Sequence, residues 1–427
     1  MKSVYSFAGA LCALILTPLT YANDQRQTVD APYQVGVTYF NAVDYSQVET
    51  FTERNDDYRD VMIKIWYPAE LNEASVPSHL GYHTEQYPFP AAVLPGADDE
   101  YYNRLKTLLS GAFRKAPMVE SDQKFPVIFY SPGYFSHLED SESVMVDLAS
   151  QGYVVASVGH AHQLQFITLS DGYAEFDWNK RWNDWQLSDL TTMTLDEWNV
   201  EVSSYAGRPL SQEEKDRLYH LFTLAEGDRN SLQVWVQDME FALNQLHKVN
   251  YGQVSHFSNQ QVELSSLKGK LDLDNFGAFG LSFGGPTAAT FCNRQAKCKA
   301  AANLDAMHYD LSPGNPARKP LMIMYQDYPM PANYQLVFDQ QDRDTYMVKV
   351  ANSRHLDFSD LTLTMPEVRN TDNFGTIDPY RMNAINRATV GQFFQTYVKG
   401  EGSYSSLLEM LEQTPEFSRI DSKKGSY

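Results

Sequence analysis

Cations, long apolar runs and cysteine are all scarce in this 427-residue chain, and each scarcity closes off something. Lys and Arg number 34 against 54 Asp and Glu, a formal charge of −20. Nucleic-acid binding needs clustered cations to neutralise phosphates, so that partner is excluded, and tight binding to anionic membranes is disfavoured. After the first 22 residues no segment approaches the ~20 consecutive apolar residues of a membrane helix, so the mature chain should carry no integral membrane segment. Internal repeats and low-complexity tracts are missing too. What is present, 43% hydrophobic residues with 13% aromatics, is ample for a packed interior and argues against disorder.

Only three cysteines occur, and Cys12 lies in the opening stretch "MKSVYSFAGALCALILTPLTYAND". A basic start at Lys2, an apolar run from Phe7 to Leu16 and a small residue at Ala22 have the layout of a secretory signal over 1–22. Export to the periplasm or medium is therefore expected. Cys292 and Cys298 remain, in "FCNRQAKC", and an oxidising compartment would let them pair. Six residues of continuous helix rise about 9 Å, beyond the ~7 Å Cα separation a disulfide tolerates. A bridge thus requires the helix to end near Asn293; two buried free thiols are the alternative.

Strand-like stretches recur at 33–40, 61–69, 125–133, 152–160, 275–282, 299–305, 320–327 and 346–353. Most are short apolar runs without clean alternation, as in a parallel sheet covered on both faces. Helical patterns at 141–152, 230–250 and 383–400 lie between them, so the expected fold is α/β, a mostly parallel doubly wound sheet. The region from Gln163 to Arg229 breaks the alternation. It holds Trp178, Trp182, Trp185 and Trp198, four of the six tryptophans, and reads as an aromatic-rich cap insertion facing substrate, with packing against the outside of the core as the alternative. The division is a core over 23–162, a cap over 163–229 and a core resuming over 230–427.

Gly280-Leu281-Ser282-Phe283-Gly284 fits G-x-S-x-G, with a strand-like run before it and a possible helix start in "GGPTAATF" after it. That context places Ser282 on a tight strand-to-helix turn with its hydroxyl raised above the sheet, the position of a nucleophile. The N–H of Phe283, just after it, is one candidate oxyanion donor. The loop in "FPVIFYSPGYFSH" offers the N–H of Tyr134 as the second.

Among ten histidines, only His308 and His355 follow Ser282, as the order nucleophile, acid, histidine demands. His355 runs off a strand into a loop and is the expected base; His308 sits too close behind Asp305. His160 and His162, in "GHAH", have no further His or Asp cluster to make a metal pair and read as loop histidines near the pocket. Two strands end in an acid, Asp305 and Asp327, and spacing does not choose between them.

At these residues the chain resembles the secreted-type (isoform II) platelet-activating factor acetylhydrolases and their bacterial relatives, which are α/β-hydrolases acting on short or oxidised acyl esters. The resemblance runs from "VMIKIWYPA" through "VMVDLASQGYVVASVGH", "LDLDNFGAFGLSFGG" and "NLDAM" to "RHLDFSD". It implies Asp305 as the acid, and it matches His355 with an H-x-x-F-x-D pattern at His355, Phe358 and Asp360. Three features depart from the family: Leu281 stands where histidine usually precedes the serine, Pro132-Gly133 replaces a histidine-glycine pair, and the insertion is long. All three bear on the pocket rather than on the reaction.

The expected protein is an exported serine ester hydrolase, monomeric, acting on a small ester or phospholipid-like substrate. Ser282, His355 and Asp305 would be its triad, with oxyanion donors at Tyr134 and Phe283. No metal or cofactor is implied, because such a triad supplies the nucleophile and both proton transfers. A polyester hydrolase or general carboxylesterase is the alternative enzyme, and a non-catalytic α/β-hydrolase-fold binding protein the alternative from another class.

Overall fold

The computed structural model describes residues 31–52, 54, 56–80, 107–176, 193–253, 261–310, 318–364, 369 and 372–426. The expected signal over 1–22 and the tryptophans Trp178, Trp182 and Trp185 lie outside them.

Among the described residues, eleven strands form one sheet and two form a small hairpin. In chain order they are β1 (Gln34–Val48), β2 (Tyr58–Ala69), β3 (Val76–His79), β4 (Leu109–Arg114), β5 (Phe125–Ser131), β6 (Val154–Val158), the hairpin β7 (Phe166–Thr168) and β8 (Tyr173–Glu175), β9 (Leu271–Leu281), β10 (Cys298–Leu304), β11 (Leu321–Tyr325), β12 (Thr345–Val350) and β13 (Phe417–Lys423). Across the sheet the order is β13-β12-β11-β10-β9-β5-β6-β2-β1-β4-β3. The stretch from β12 to β6 is parallel throughout, while β2 and β13 flank it antiparallel. The central strands are buried along nearly their whole length, which is why their sequences run apolar without alternating. Polar β13, "FSRIDSK", and the short β3 and β4 carry no such signature and escaped the sequence reading. All three lie toward the edges of the sheet, where one side can remain wet.

The helices include α1 (Glu142–Ser150), α2 (Leu195–Ser204), α3 (Gln212–Leu224), α4 (Glu226–Asn250), α5 (Gly284–Arg294), α6 (Ala332–Gln340) and α7 (Pro379–Phe394); further helices lie at Gln261–Ser266, Leu361–Thr364 and Tyr404–Glu412. Successive strand residues point to opposite faces, and β9 shows which helix covers which. A Cβ at Gly277 would meet Phe394 of α7, whereas one at Gly280, three residues on, would meet Gly284 and Gly285 of α5. Phe276, in step with Gly280, packs on Phe291 of α5; Phe279, in step with Gly277, packs on Phe394. Both faces are thus covered, as the doubly wound reading expected. Helix α7 starts where its sequence signals, with Asp378 capping the Arg381 N–H and Pro379 at the first position.

Within the insertion, α2 and α3 each open with a capping box, at Thr194–Glu197 and Ser211–Glu214. They share a small core of Trp198, Val202, Leu218, Leu221 and Phe222, closed against Ala332 and Leu336 of α6. Trp198 was expected to face substrate. It is instead 5% exposed, and its indole N–H donates to the Leu221 carbonyl at 2.8 Å.

Helix α5 ends at Arg294, early enough to bring the Cα atoms of Cys292 and Cys298 to 5.2 Å, and the two form a disulfide. The bridge ties the end of α5 to the start of β10. Closing so short a loop restricts the unfolded chain by about 2 kcal/mol. Reductant should therefore lower the thermal midpoint by a few degrees and leave a Cys292→Ala/Cys298→Ala variant unmoved. Equal midpoints with and without reductant would contradict the staple.

Candidate active site

The turn at Ser282 is built by close backbone contact. A Cβ at Gly280 would lie 2.1 Å from the Gly284 carbonyl oxygen, and one at Gly284 would lie 1.9 Å from that of Ser131. Neither position can hold a side chain, so the two glycines of the motif are there for approach. Ser282 itself sits at φ +52, a conformation L residues adopt at a cost. Its N–H donates to the Leu304 carbonyl (2.9 Å) and its own carbonyl accepts from Gly285 (2.8 Å), so the turn is locked between β10 and α5.

The structure brings Ser282, His355 and Asp305 into one hydrogen-bonded chain. His355 Nε2 is 3.0 Å from Ser282 Oγ, and His355 Nδ1 is 2.7 Å from Asp305 Oδ2. A carboxylate accepts, so Nδ1 carries the proton and Nε2 offers its lone pair to the serine hydroxyl. Asp305 is fixed between strands: its N–H donates to Met324, and its second carboxylate oxygen accepts from the Gln326 N–H at 3.0 Å. It too has a positive φ, +59. Burial works to lower the imidazole pKa, but the hydrogen bond and negative charge of Asp305 outweigh it and hold His355 above its ordinary value. The imidazole remains 34% exposed, so a substrate can reach it.

Asp327 is placed elsewhere. It accepts from the Asn352 N–H (2.8 Å) and pairs with Lys349 (2.9 Å), and these contacts hold its carboxyl below the usual range. Its role here is to join the loops that follow β11 and β12. His308 is buried at about pKa 4 through desolvation, accepting from Asn303 Nδ2 at 2.9 Å. Asn303 in turn clasps both backbone groups of Ala306, so this pair braces the turn that carries Asp305.

The loop after β5 lies against Ser282: a Cβ at Gly133 would be 2.8 Å from Ser282 Cβ and 3.5 Å from its Oγ. Tyr134 follows, its ring 4.2 Å from that of Phe283, so the residues expected to donate to an oxyanion stand beside each other next to Ser282. Phe135 completes the loop at φ +58, with its N–H bonded to the Gln163 carbonyl at 3.0 Å.

Several residues of the site had no role in the sequence reading. Trp235 of α4, within the helical pattern read at 230–250, packs 4.8 Å from Tyr134 and 5.0 Å from Phe283. Only its being tryptophan among smaller apolar residues marked it. Asp357, two residues after His355, is buried and accepts from the Arg354 and Gly375 N–H groups and from Arg369. It thereby fixes the turn presenting the imidazole. Asp360, already named in the H-x-x-F-x-D pattern of the sequence, extends that anchor to α1, accepting from the backbone and hydroxyl of Ser143.

The family model of platelet-activating factor acetylhydrolase, isoform II, matches residues 21–407. The platelet-activating factor acetylhydrolase of Cavia porcellus is 23% identical over 408 residues, 91% of this chain and 82% of its own. That of Gallus gallus is 23% identical over 253 residues, 58% of this chain and 55% of its own. Among solved structures, a ferulic acid esterase from Streptomyces cinnamoneus superposes with a TM-score of 0.65 at 19% identity, over 94% of this chain and 100% of that one. The last match carries the fold alone, an α/β-hydrolase. With the family model spanning nearly the whole sequence, the chain belongs to the family of platelet-activating factor acetylhydrolase, isoform II, and is a carboxylic ester hydrolase.

Proposed function

We propose that this esterase is exported and cleaves short-chain acyl esters, phospholipid-like esters among them, through an acyl-enzyme on Ser282. The observation that carries the reading is the continuous chain Ser282–His355–Asp305, with bonds of 3.0 and 2.7 Å. In this mechanism Ser282 Oγ adds to the ester carbonyl carbon while His355 Nε2 takes its proton. Asp305 holds the tautomer and stabilises the imidazolium. The N–H groups of Tyr134 and Phe283 donate to the oxyanion. His355 then returns the proton to the departing alcohol, and water repeats the sequence to release the carboxylic acid.

The aromatic cluster of Tyr134, Phe283 and Trp235 at the residues flanking Ser282 supports a small acyl group. The names of the relatives point the same way, to acetyl hydrolysis on platelet-activating factor. Export is supported by the signal-like residues 1–22 and by a disulfide that needs an oxidising compartment. The mature chain should then be recovered from the periplasm or medium with Asn23 at its N-terminus; an intracellular chain still beginning at Met1 would overturn export.

Hydrolysis of p-nitrophenyl acetate, butyrate and octanoate tests the chemistry. Ser282→Ala and His355→Ala should lower turnover on the order of 10⁴–10⁶-fold. Asp305→Asn should cost about 10⁴-fold, and Asp327→Asn should turn over like the wild type. The acetate ester should be preferred, while preference for octanoate would favour a general carboxylesterase. Because His355 must be neutral to accept the proton, kcat/KM should rise with pH through a limb above the ordinary ~6.5 of histidine. Asp305→Asn removes what raises that pKa and leaves burial, so its residual activity should show the limb at lower pH. An essential Asp327, or a limb unmoved in Asp305→Asn, would contradict the assignment of the acid.

A further inference from the structure

A second Ser–His–Asp chain runs beneath the first. Ser131 Oγ lies 2.9 Å from His160 Nε2, and His160 Nδ1 lies 2.8 Å from Asp238 Oδ2. Ser131, the last residue of β5, immediately precedes Pro132, Gly133 and Tyr134. All three side chains are fully buried, so none can reach an ester. Behind Asp238 stands Arg59 of β2, whose Nε and Nη2 donate to Asp238 Oδ1 (3.0 Å) and Oδ2 (2.8 Å). Its Nη1 donates to Glu49 (2.9 Å) and to the carbonyl of Ala161 (3.0 Å), the residue after His160. Trp235 stacks on the imidazole at 3.9 Å with the rings 10° apart.

We propose that Ser131, His160 and Asp238 are positioning residues that hold the loop 132–135 against the nucleophile turn, so that the oxyanion donors are in place before substrate arrives. This rests on the reading of Ser282 as the nucleophile.

The charges around the two imidazoles set their different behaviour. His160 meets Asp238 on one side, but Arg59 neutralises that carboxylate; burial and the Arg59 charge together hold the imidazole below its ordinary pKa against the pull of Asp238. Burial works to raise Asp238, and Arg59 and His160 outweigh it, so the acid stays ionised. His160 is therefore a neutral ring with Nδ1–H donating to Asp238 and Nε2 accepting the Ser131 hydroxyl. It is a fixed acceptor, where His355, solvent-reachable and without an arginine behind its acid, is free to exchange a proton.

Geometry carries the effect from Ser131 to the reaction. The Ser131 carbonyl is the atom that a Cβ at Gly284 would strike at 1.9 Å, so this residue sets the spacing between the end of β5 and the first turn of α5. The far end of the loop is held separately: Phe135 donates to Gln163 and Gln165 donates to Ser136, both at 3.0 Å. The side-chain amide of Gln163 accepts from the indole of Trp235. Between these clamps lie Tyr134, the expected donor, and Phe135 at φ +58, a conformation that would relax if either clamp let go. Preorganised donors matter because they need no reorientation as charge develops, so a loosened loop should slow the chemical step more than it weakens substrate binding.

The test compares Ser131→Ala with Ser157→Ala. Ser157 is also fully buried, on β6, and its hydroxyl donates to the Leu138 carbonyl outside this chain of contacts. Ser131→Ala should lower kcat about 10- to 100-fold, less than loss of an oxyanion donor outright, with KM within about twofold. A trifluoromethyl ketone adds to Ser282 as a hemiketal whose oxyanion occupies the same place, so its Ki should rise by the same factor as kcat/KM falls. Ser157→Ala should lose thermal stability yet keep kcat and Ki. Wild-type kcat in Ser131→Ala, or a lowered kcat with the ketone Ki unchanged, would overturn the proposal. Should Ser131→Ala fail to fold, Ser131→Cys keeps the shape with a weaker donor and should show the same paired change at smaller size. Activity surviving in Ser282→Ala would instead defeat the reading of the nucleophile, whatever Ser131 does.

Discussion

The site depends on one close approach, the carbonyl of Ser131 against the Cα of Gly284, 1.9 Å from where a Cβ would stand. That contact joins the end of β5 to the start of α5. It brings the loop of Gly133 and Tyr134 over Ser282, and it leaves room only for glycine at the second flank of the motif. Gly280 serves the first flank in the same way, its missing Cβ replaced by the Gly284 backbone. The site is then measured from this point: Ser282, the residues proposed as donors beside it, and through Leu304 the strand that leads to Asp305.

Strain gathers where the chain is held this tightly. Phe135, His162, Ser282 and Asp305 all have positive φ and all belong to the loops of the site. Each is fixed from outside or stands beside a residue that is: Phe135 by Gln163, Ser282 by Leu304, Asp305 by Met324 and Gln326, and His162 next to the Ala161 carbonyl that Arg59 binds. The two histidine–aspartate pairs divide the electrostatic labour. One has its aspartate compensated by a buried arginine and stays neutral; the other has an uncompensated aspartate and is made more basic. Similar hydrogen-bond geometry thus leaves one imidazole below its ordinary pKa and the other above it, the difference on which the proposed brace and the proposed proton acceptor rest.

Much of this was legible in the residues because local constraints carry it. The doubly wound sheet follows from apolar runs alternating with helical stripes, and the Ser282 turn from glycines two residues to either side. Chain order left His308 and His355, and a strand running into a loop marked His355. Spacing could not choose the acid, because Asp305 and Asp327 both end strands; the family resemblance implied Asp305, and in the folded sheet Asp305 faces His355 while Asp327 pairs with Lys349. Contacts distant in sequence were invisible altogether. Arg59 and Asp238 are 179 residues apart, and His160 and Asp238 are 78 apart, so nothing local marks their pairing. His160 was read as a loop histidine near the pocket, and its partners become apparent only once α4 packs against the sheet. Edge strand β13 went unread for a different reason: half-exposed and polar, it carries neither pattern that identifies a central strand.

The most direct measurement is the intact mass of the protein after a fluorophosphonate ester, followed by mapping of the labelled peptide. The account predicts a single stoichiometric adduct, with loss of fluoride, on Ser282. It should be absent in Ser282→Ala and form far more slowly in His355→Ala, because the serine needs its base to become nucleophilic. A folded wild-type protein that takes no label, or takes it on another residue while Ser282 stays free, would contradict the central claim.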